Sequence, residues 1–118
     1  MFDWKKPTVQ MLGRWQPWHE GHRWLIDQRL KKGFNVCIAI REVEKSDSNP
    51  FSPSEIKKNL ENELKDLIAL NKIKIVIIPD IESVNYGRGV GYDIIEHFPP
   101  QKVKNISATE IRKKIFKK

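Results

Sequence analysis

The chain reads as an α/β protein built on a small parallel sheet, and three observations point there. Asn35–Ile40 (NVCIAI) and Ile73–Ile78 (IKIVII) are nearly unbroken apolar runs, the composition of strands covered on both faces. Helical patterns lie between and before these runs, so strands and helices alternate along the chain. Consecutive parallel strands joined through helices require right-handed crossovers.

The elements follow in order. Thr8–Leu12 forms a short first strand, and Gly13–Pro17 forms a turn. A helix is expected from about Glu20 to Lys32, with Trp24, Leu25 and Leu30 as its buried stripe and Gly33 as its stop. After the strand at Asn35–Ile40, the polar stretch Arg41–Asn49 reads as a loop. "SPSE" starts the next helix: Ser52 caps it, Pro53 suits the first helical position, and Glu55 completes a capping box. Ile56, Leu60, Leu64 and Leu67 share one face, and the helix is expected to end near Leu70 or Asn71. Pro79 stops the strand at Ile73–Ile78. Val90–His97 is expected to hold a short helix, Val103–Ile106 a fourth strand and Ser107–Phe116 a final helix. This is a Rossmann-like, three-layer α/β/α arrangement in a single domain spanning 1–118.

The chain of 118 residues suits one core, and 39% apolar with 31% charged residues suits a soluble domain. Twenty-two Lys and Arg against 15 Asp and Glu give +7, a balance that favours an anionic partner without choosing among them. Cys37 is the sole cysteine, which excludes an internal disulfide and a thiol metal site; it reads as a small buried hydrophobe. The opening MFDWKK lacks an apolar leader pattern and no stretch is long enough to span a bilayer, so a cytoplasmic protein without membrane contact is expected.

In such sheets ligands bind beyond the carboxyl ends of the strands. The stretch "GRWQPWHEGHRW" (13–24) stands at the carboxyl end of the first strand. His19 and His22 fall at the start of the following helix, where unpaired N–H groups and the positive dipole end favour an anion, most naturally phosphate. Gly13 and Gly21 are expected to let backbone approach the ligand. Of the three tryptophans, Trp15 is the one best placed to line the pocket. A zinc site is the weaker reading, with no thiol available and only His97 as a further nitrogen ligand.

"HEGH" after a strand resembles the H-x-G-H signature of the nucleotidyltransferase superfamily, which includes class I aminoacyl-tRNA synthetases. The longer "GRWQPWHEGH" looks like the G-R-[FW]-Q-P-[FW]-H-x-G-H form of nicotinamide mononucleotide adenylyltransferases, especially archaeal ones; cytidylyltransferases more often carry G-T-F-D. A second string, "ISATEIRKK" from Ile106, matches the superfamily's I-S-x-T-x-[IV]-R motif, which there binds β- and γ-phosphates. Taken by itself, Ser107 with Glu110 is a second capping box, which leaves Thr109 and Arg112 unexplained. "NPFSPSE" resembles N-P-[FL]-[ST]-x-x-E-R, with Ile56 where the family usually has Arg; Lys57 or Lys58 would replace it. The resemblance covers roughly 9–81 and 104–115.

The resemblance implies transfer of an NMP group from a nucleoside triphosphate to a small phosphorylated acceptor, with release of pyrophosphate. ATP is the favoured donor and CTP the second. His19, His22 and Arg112 carry the catalytic roles. Gly13, Arg14, Trp15, Gly21, Ser107 and Thr109 join them in binding nucleotide. Mg²⁺ comes through the triphosphate, with no metal ligand from the protein. The chain departs from the family between Asp80 and Gln101, where archaeal relatives hold the nicotinamide nucleotide, and this speaks against that acceptor. Asp80 is expected either to accept a hydrogen bond from the acceptor or to cap the loop that follows the third strand. In "ESVNYGRGVGYDIIEHF", Tyr86 and Arg88 are the candidate acceptor contacts, on a glycine-rich loop or lid at Gly87, Gly89 and Gly91. A homodimer is expected by analogy with small relatives. The rival reading is a non-catalytic nucleotide sensor or a basic nucleic-acid-binding module, the cationic "RKKIFKK" being its main support. The chain is too short for a synthetase.

Overall fold

In the computed structural model, which describes residues 2–88 and 91–104, the fold is α/β and Rossmann-like around a three-stranded parallel sheet. The strands are β1 (Thr8–Gly13), β2 (Asn35–Glu42) and β3 (Ile73–Pro79), in that order across the sheet. The helices are α1 (Glu20–Leu30), α2 (Pro53–Glu63), α3 (Lys65–Ala69) and α4 (Gln101–Lys104). Register aligns Met11 with Ile38 and Ile75, and Gly13 with Ile40 and Ile77.

Both crossovers run in the same direction, so right-handedness puts α1 and α2 on one face. There Val36, Ile38 and Ile40 meet Ile26 of α1 and Ile56, Leu60 and Leu64, with Leu67 and Ile68 of α3 packed around them. Each fully buried Ile or Leu contributes about 1.5–3 kcal/mol relative to exposure. The other face of β2 is also closed over Cys37 and Ala39. That is why the whole run is apolar, and burial pushes the Cys37 thiol up from its ordinary value.

Local signals explain most boundaries. Gly33, at φ +87°, stops the chain after α1, and its N–H donates to the Leu30 carbonyl. Ser52 and Glu55 form the expected capping box, with Ser52 Oγ accepting from Glu55 N at 3.2 Å and Glu55 Oε1 from Ser52 N at 3.1 Å. These bonds, the Ser52 amide first and then Lys45, hold the Glu55 carboxyl below its ordinary value.

Several expectations are corrected. The α1 stripe centres on Ile26, with Leu25 and Leu30 beside it and Trp24 half-buried outside the core cluster. One long helix over 53–70 is two, because Leu64 leaves helical geometry at φ −116°, ψ 18° while its side chain stays fully buried. β2 runs on to Glu42, since β3 extends far enough to pair Arg41 with Ile78 and Glu42 with Pro79. Residues 91–98 are not helical: Gly91 sits at φ +78°, and Ile94, Ile95 and Phe98 are exposed with no face to bury. Val103 and Lys104, expected in a strand, lie in α4, which opens as the Val103 N–H donates to the Pro100 carbonyl. Ser107–Phe116, together with Gly89 and Val90, lies outside the described residues.

Candidate functional site

The turn between β1 and α1 is built by its own unusual sequence. Trp15 adopts φ +56°, folding its ring back over Gly13. A Cβ on Gly13 would stand 2.9 Å from Trp15 Cε2, so the glycine permits this close approach of the ring. The Trp15 ring is buried in the core and its indole N–H donates to the Ala39 carbonyl at 3.0 Å. It therefore fixes the turn to β2 and does not line an open pocket. Gln16, also buried, clamps the next loop: its Nε2 donates to the Phe51 carbonyl at 2.8 Å and its Oε1 accepts from Phe51 N at 3.0 Å. A cis Gln16–Pro17 peptide completes the turn.

The chain then enters α1 with His19 as N-cap. Its Nδ1 accepts from Gly21 N at 3.0 Å and from His22 N at 3.4 Å. In return His22 Nδ1 accepts from His19 N at 3.2 Å. This is a reciprocal capping box made of two imidazoles, where serine or aspartate with glutamate is the usual choice. The rings stack, centroids 3.8 Å apart and 14° from parallel. Trp15 meets His22 edge-on at 4.8 Å, and Trp18 lies against it at 5.4 Å.

This geometry dictates the chemistry. An Nδ1 that accepts from a backbone N–H carries no proton, so the neutral ring has its hydrogen on Nε2. Burial, with the neighbouring His19 ring second, lowers His22 to about 3. Burial also lowers His19, against a smaller opposing pull from Glu20. Both rings are thus neutral donors at pH 7. The cap uses Nδ1 of both rings and leaves both Nε2 positions outside it. The amides of His19, Gly21 and His22 are consumed by the cap. The expected phosphate cradle of free helix amides is therefore replaced by two ring N–H groups, seated at the positive end of α1.

Beside this turn a cleft of about 570 Å³ opens at the carboxyl ends of all three strands. Arg14 follows β1, Arg41 is the last residue but one of β2, Asp80 follows β3, and Lys45, Ser46 and Asn49 come from the loop after β2. Arg14 Nη1 donates to Asn49 Oδ1 at 3.1 Å. Arg41 grips Asp80 Oδ1 through Nε at 3.0 Å and Nη2 at 2.7 Å, and Nη2 also donates to the Ile81 carbonyl at 3.1 Å. Lys45 pairs with Glu55 at 3.2 Å.

The sequence-predicted residues thus separate into groups. His19, Gly21 and His22 come together at the cap; Arg14 and Asp80 meet in the cleft; Gly13 and Trp15 are packing residues. Tyr86 and Arg88 are exposed on an irregular segment and do not line the cleft. Ser107, Thr109 and Arg112 lie outside the described residues. Arg41, Lys45 and Asn49 were hidden in a stretch that reads only as a polar loop, and nothing in the sequence marks Gln16 as the clamp on that loop.

The chain is similar to a nucleotidyltransferase. It is 35% identical over 72 residues to the nicotinamide-nucleotide adenylyltransferase of Saccharolobus solfataricus (strain ATCC 35092 / DSM 1617 / JCM 11322 / P2). The match covers 58% of this chain and 42% of that enzyme, so the chain spans less than half of the relative's length. No family model matches the chain. The similarity supports a relationship to nucleotidyltransferases. No helix among the described residues is long and apolar enough to cross a membrane.

Proposed function

We propose that this protein transfers an NMP group from a nucleoside triphosphate to a small phosphorylated acceptor, releasing pyrophosphate, with ATP favoured over CTP as donor. The observation that carries the reading is the two-histidine cap. It leaves two neutral Nε2–H donors beside a helix N-terminus at the carboxyl edge of a parallel sheet. The similarity to an adenylyltransferase supports the same class of chemistry.

In this account an oxygen of the acceptor's phosphate attacks the α-phosphorus in line, and pyrophosphate departs. No enzyme nucleophile takes part. The protein positions the reactants and meets the charge that develops in the transition state. The Nε2–H groups of His19 and His22 donate to the α-phosphate oxygens. Being neutral, they can stay in place without a counter-ion when no ligand is bound. Ser107, Thr109 and Arg112 are assigned to the departing pyrophosphate on their sequence pattern. Mg²⁺ would arrive with the triphosphate and would supply charge neutralisation there, with no metal ligand asked of the protein. Two carboxylates near the cleft are engaged by cations, Asp80 by Arg41 and Glu55 by Lys45.

The test is thermal unfolding with Mg²⁺ and each of ATP, CTP, GTP and UTP. A donor at a hundred times its dissociation constant adds about 2.7 kcal/mol. ATP is expected to stabilise most, with CTP next. Equal or absent stabilisation by all four at millimolar concentration overturns the reading and brings forward the nucleic-acid module, whose affinity falls steeply with salt.

A further inference from the structure

The cleft at the strand ends is chemically unlike a site built to read a neutral hydrogen-bond donor. The Asp80 carboxylate would suit such a group, but its Oδ1 is paired with the Arg41 guanidinium. Asp80 Oδ1 accepts from Arg41 Nε and forms an ion pair with Nη2, which donates to the Ile81 carbonyl. These contacts use Nε and Nη2 only. Among the described residues nothing takes the N–H groups of Nη1, and Arg41 lines the cleft half-buried. A guanidinium fixed on one edge and open on the other is a preorganised oxyanion receptor. Arg14 reinforces it. Its guanidinium bonds the neutral Asn49 amide, so no carboxylate balances its charge among the described residues. Glu44 and Asp80 also border the cleft and oppose an anion, and Lys45 is paired with Glu55, so the attraction rests on Arg14 and on the open edge of Arg41.

We propose that Arg41 is the specificity-determining residue of this cleft, and that it receives an oxyanion (phosphate, carboxylate or sulfonate) of the acceptor. Asp80 is then a positioning residue that aims Arg41 and does not touch the acceptor. The inference rests on the nucleotidyl-transfer reading for the word acceptor; the anion site itself stands on the cleft alone. It assigns the acceptor to molecules that place an anionic group at the strand ends.

The experiment follows the Arg41 guanidinium Nε–H resonance, assigned by its loss in Arg41→Gln, while inorganic phosphate is added to the full chain. It is run with and without saturating Mg²⁺ and ATP, and acetamide serves as the neutral probe. The Arg41 signal is expected to shift saturably with phosphate and not with acetamide. Phosphate affinity, read by calorimetry in the presence of Mg²⁺ and ATP, is expected to fall at least about tenfold in Arg41→Gln, the loss appropriate to a charge-assisted pair. Asp80→Asn is expected to weaken phosphate while Arg41→Lys fails to restore it, because lysine lacks the fork that Asp80 and Ile81 hold. Stabilisation by Mg²⁺ and ATP is expected to persist in all three variants. An Arg41 signal indifferent to phosphate, equal responses to phosphate and acetamide, or unchanged affinity in Arg41→Gln overturns the proposal. Loss of the ATP response in the wild-type chain, with the Arg41-dependent phosphate response intact, overturns the nucleotidyl-transfer reading and leaves the anion site standing.

Discussion

Substituting His19 by alanine and by asparagine separates two jobs that one imidazole performs. Nδ1 caps α1 through the amides of Gly21 and His22, and Nε2–H is left for a ligand. Alanine removes both. Losing an N-cap costs about 1 kcal/mol, with a range of roughly 0.5–2. For a domain of this size that is a fall in Tm of roughly 3–6 °C per kcal/mol. Asparagine keeps a cap acceptor on its Oδ1 but has nothing at the Nε2 position. His19→Asn should therefore unfold within about 0.5 kcal/mol of wild type, since asparagine ranks among the best N-caps. It should nevertheless lose most of the stabilisation that Mg²⁺ and ATP give the wild-type chain, about 2.7 kcal/mol at a hundredfold excess over Kd. Thermal unfolding with and without nucleotide reads both quantities in one series. A His19→Asn variant that responds to ATP like wild type would refute the assignment of Nε2 to phosphate. A His19→Ala variant as stable as wild type would refute the cap.

Three further expectations follow from the same geometry. His22→Ala should cut pyrophosphate release by two or more orders of magnitude, as for other charge-stabilising donors, and near-normal turnover would remove His22 from the mechanism. The cap should also fail in acid. His22 is held at about 3 in the folded chain against 6.5 unfolded, so between those values the unfolded chain binds the extra proton. Stability from this group is full above pH 6.5 and is lost as pH falls toward 3, by up to about 1.4 kcal/mol per pH unit. Denaturant unfolding across that window should show a shallower slope in His22→Gln; parallel curves would contradict it. Finally, Gly13→Ala should destabilise by about 1–3 kcal/mol through overpacking, because the new Cβ meets the buried Trp15 ring at 2.9 Å. Chemical denaturation measures this, and a neutral effect would mean the ring can yield.

The sheet and the start of α2 were legible because their signals are local. A buried parallel strand needs an apolar run, and a capping box needs only Ser52 and Glu55. His19 and His22 were legible as a pair, but their use of Nδ1 for the cap was not, since imidazole is a rare N-cap. Trp15 shows the limit of composition. A tryptophan in a turn beside a pocket suits lining or packing equally, and only the left-handed backbone that lays it over Gly13 decides for packing. Arg41 was hidden for a different reason. Its role depends on how far β2 and β3 run together, because pairing with Ile78 is what brings Arg41 to Asp80. That register is tertiary information. The segment after Asp80 misled in the opposite direction. Ile94 and Ile95 suggested a helix and Val103 a strand, but 91–98 is irregular from a glycine at positive φ onward and Val103 lies in α4.

The most direct measurement is long-range proton–nitrogen correlation spectroscopy of the histidine rings at pH 7, with increasing Mg²⁺ and ATP. The account predicts neutral rings at His19 and His22, each protonated on Nε2, and a saturable shift of both Nε2 resonances as nucleotide binds. Cationic rings, protons on Nδ1, or Nε2 resonances unmoved by millimolar nucleotide would contradict it.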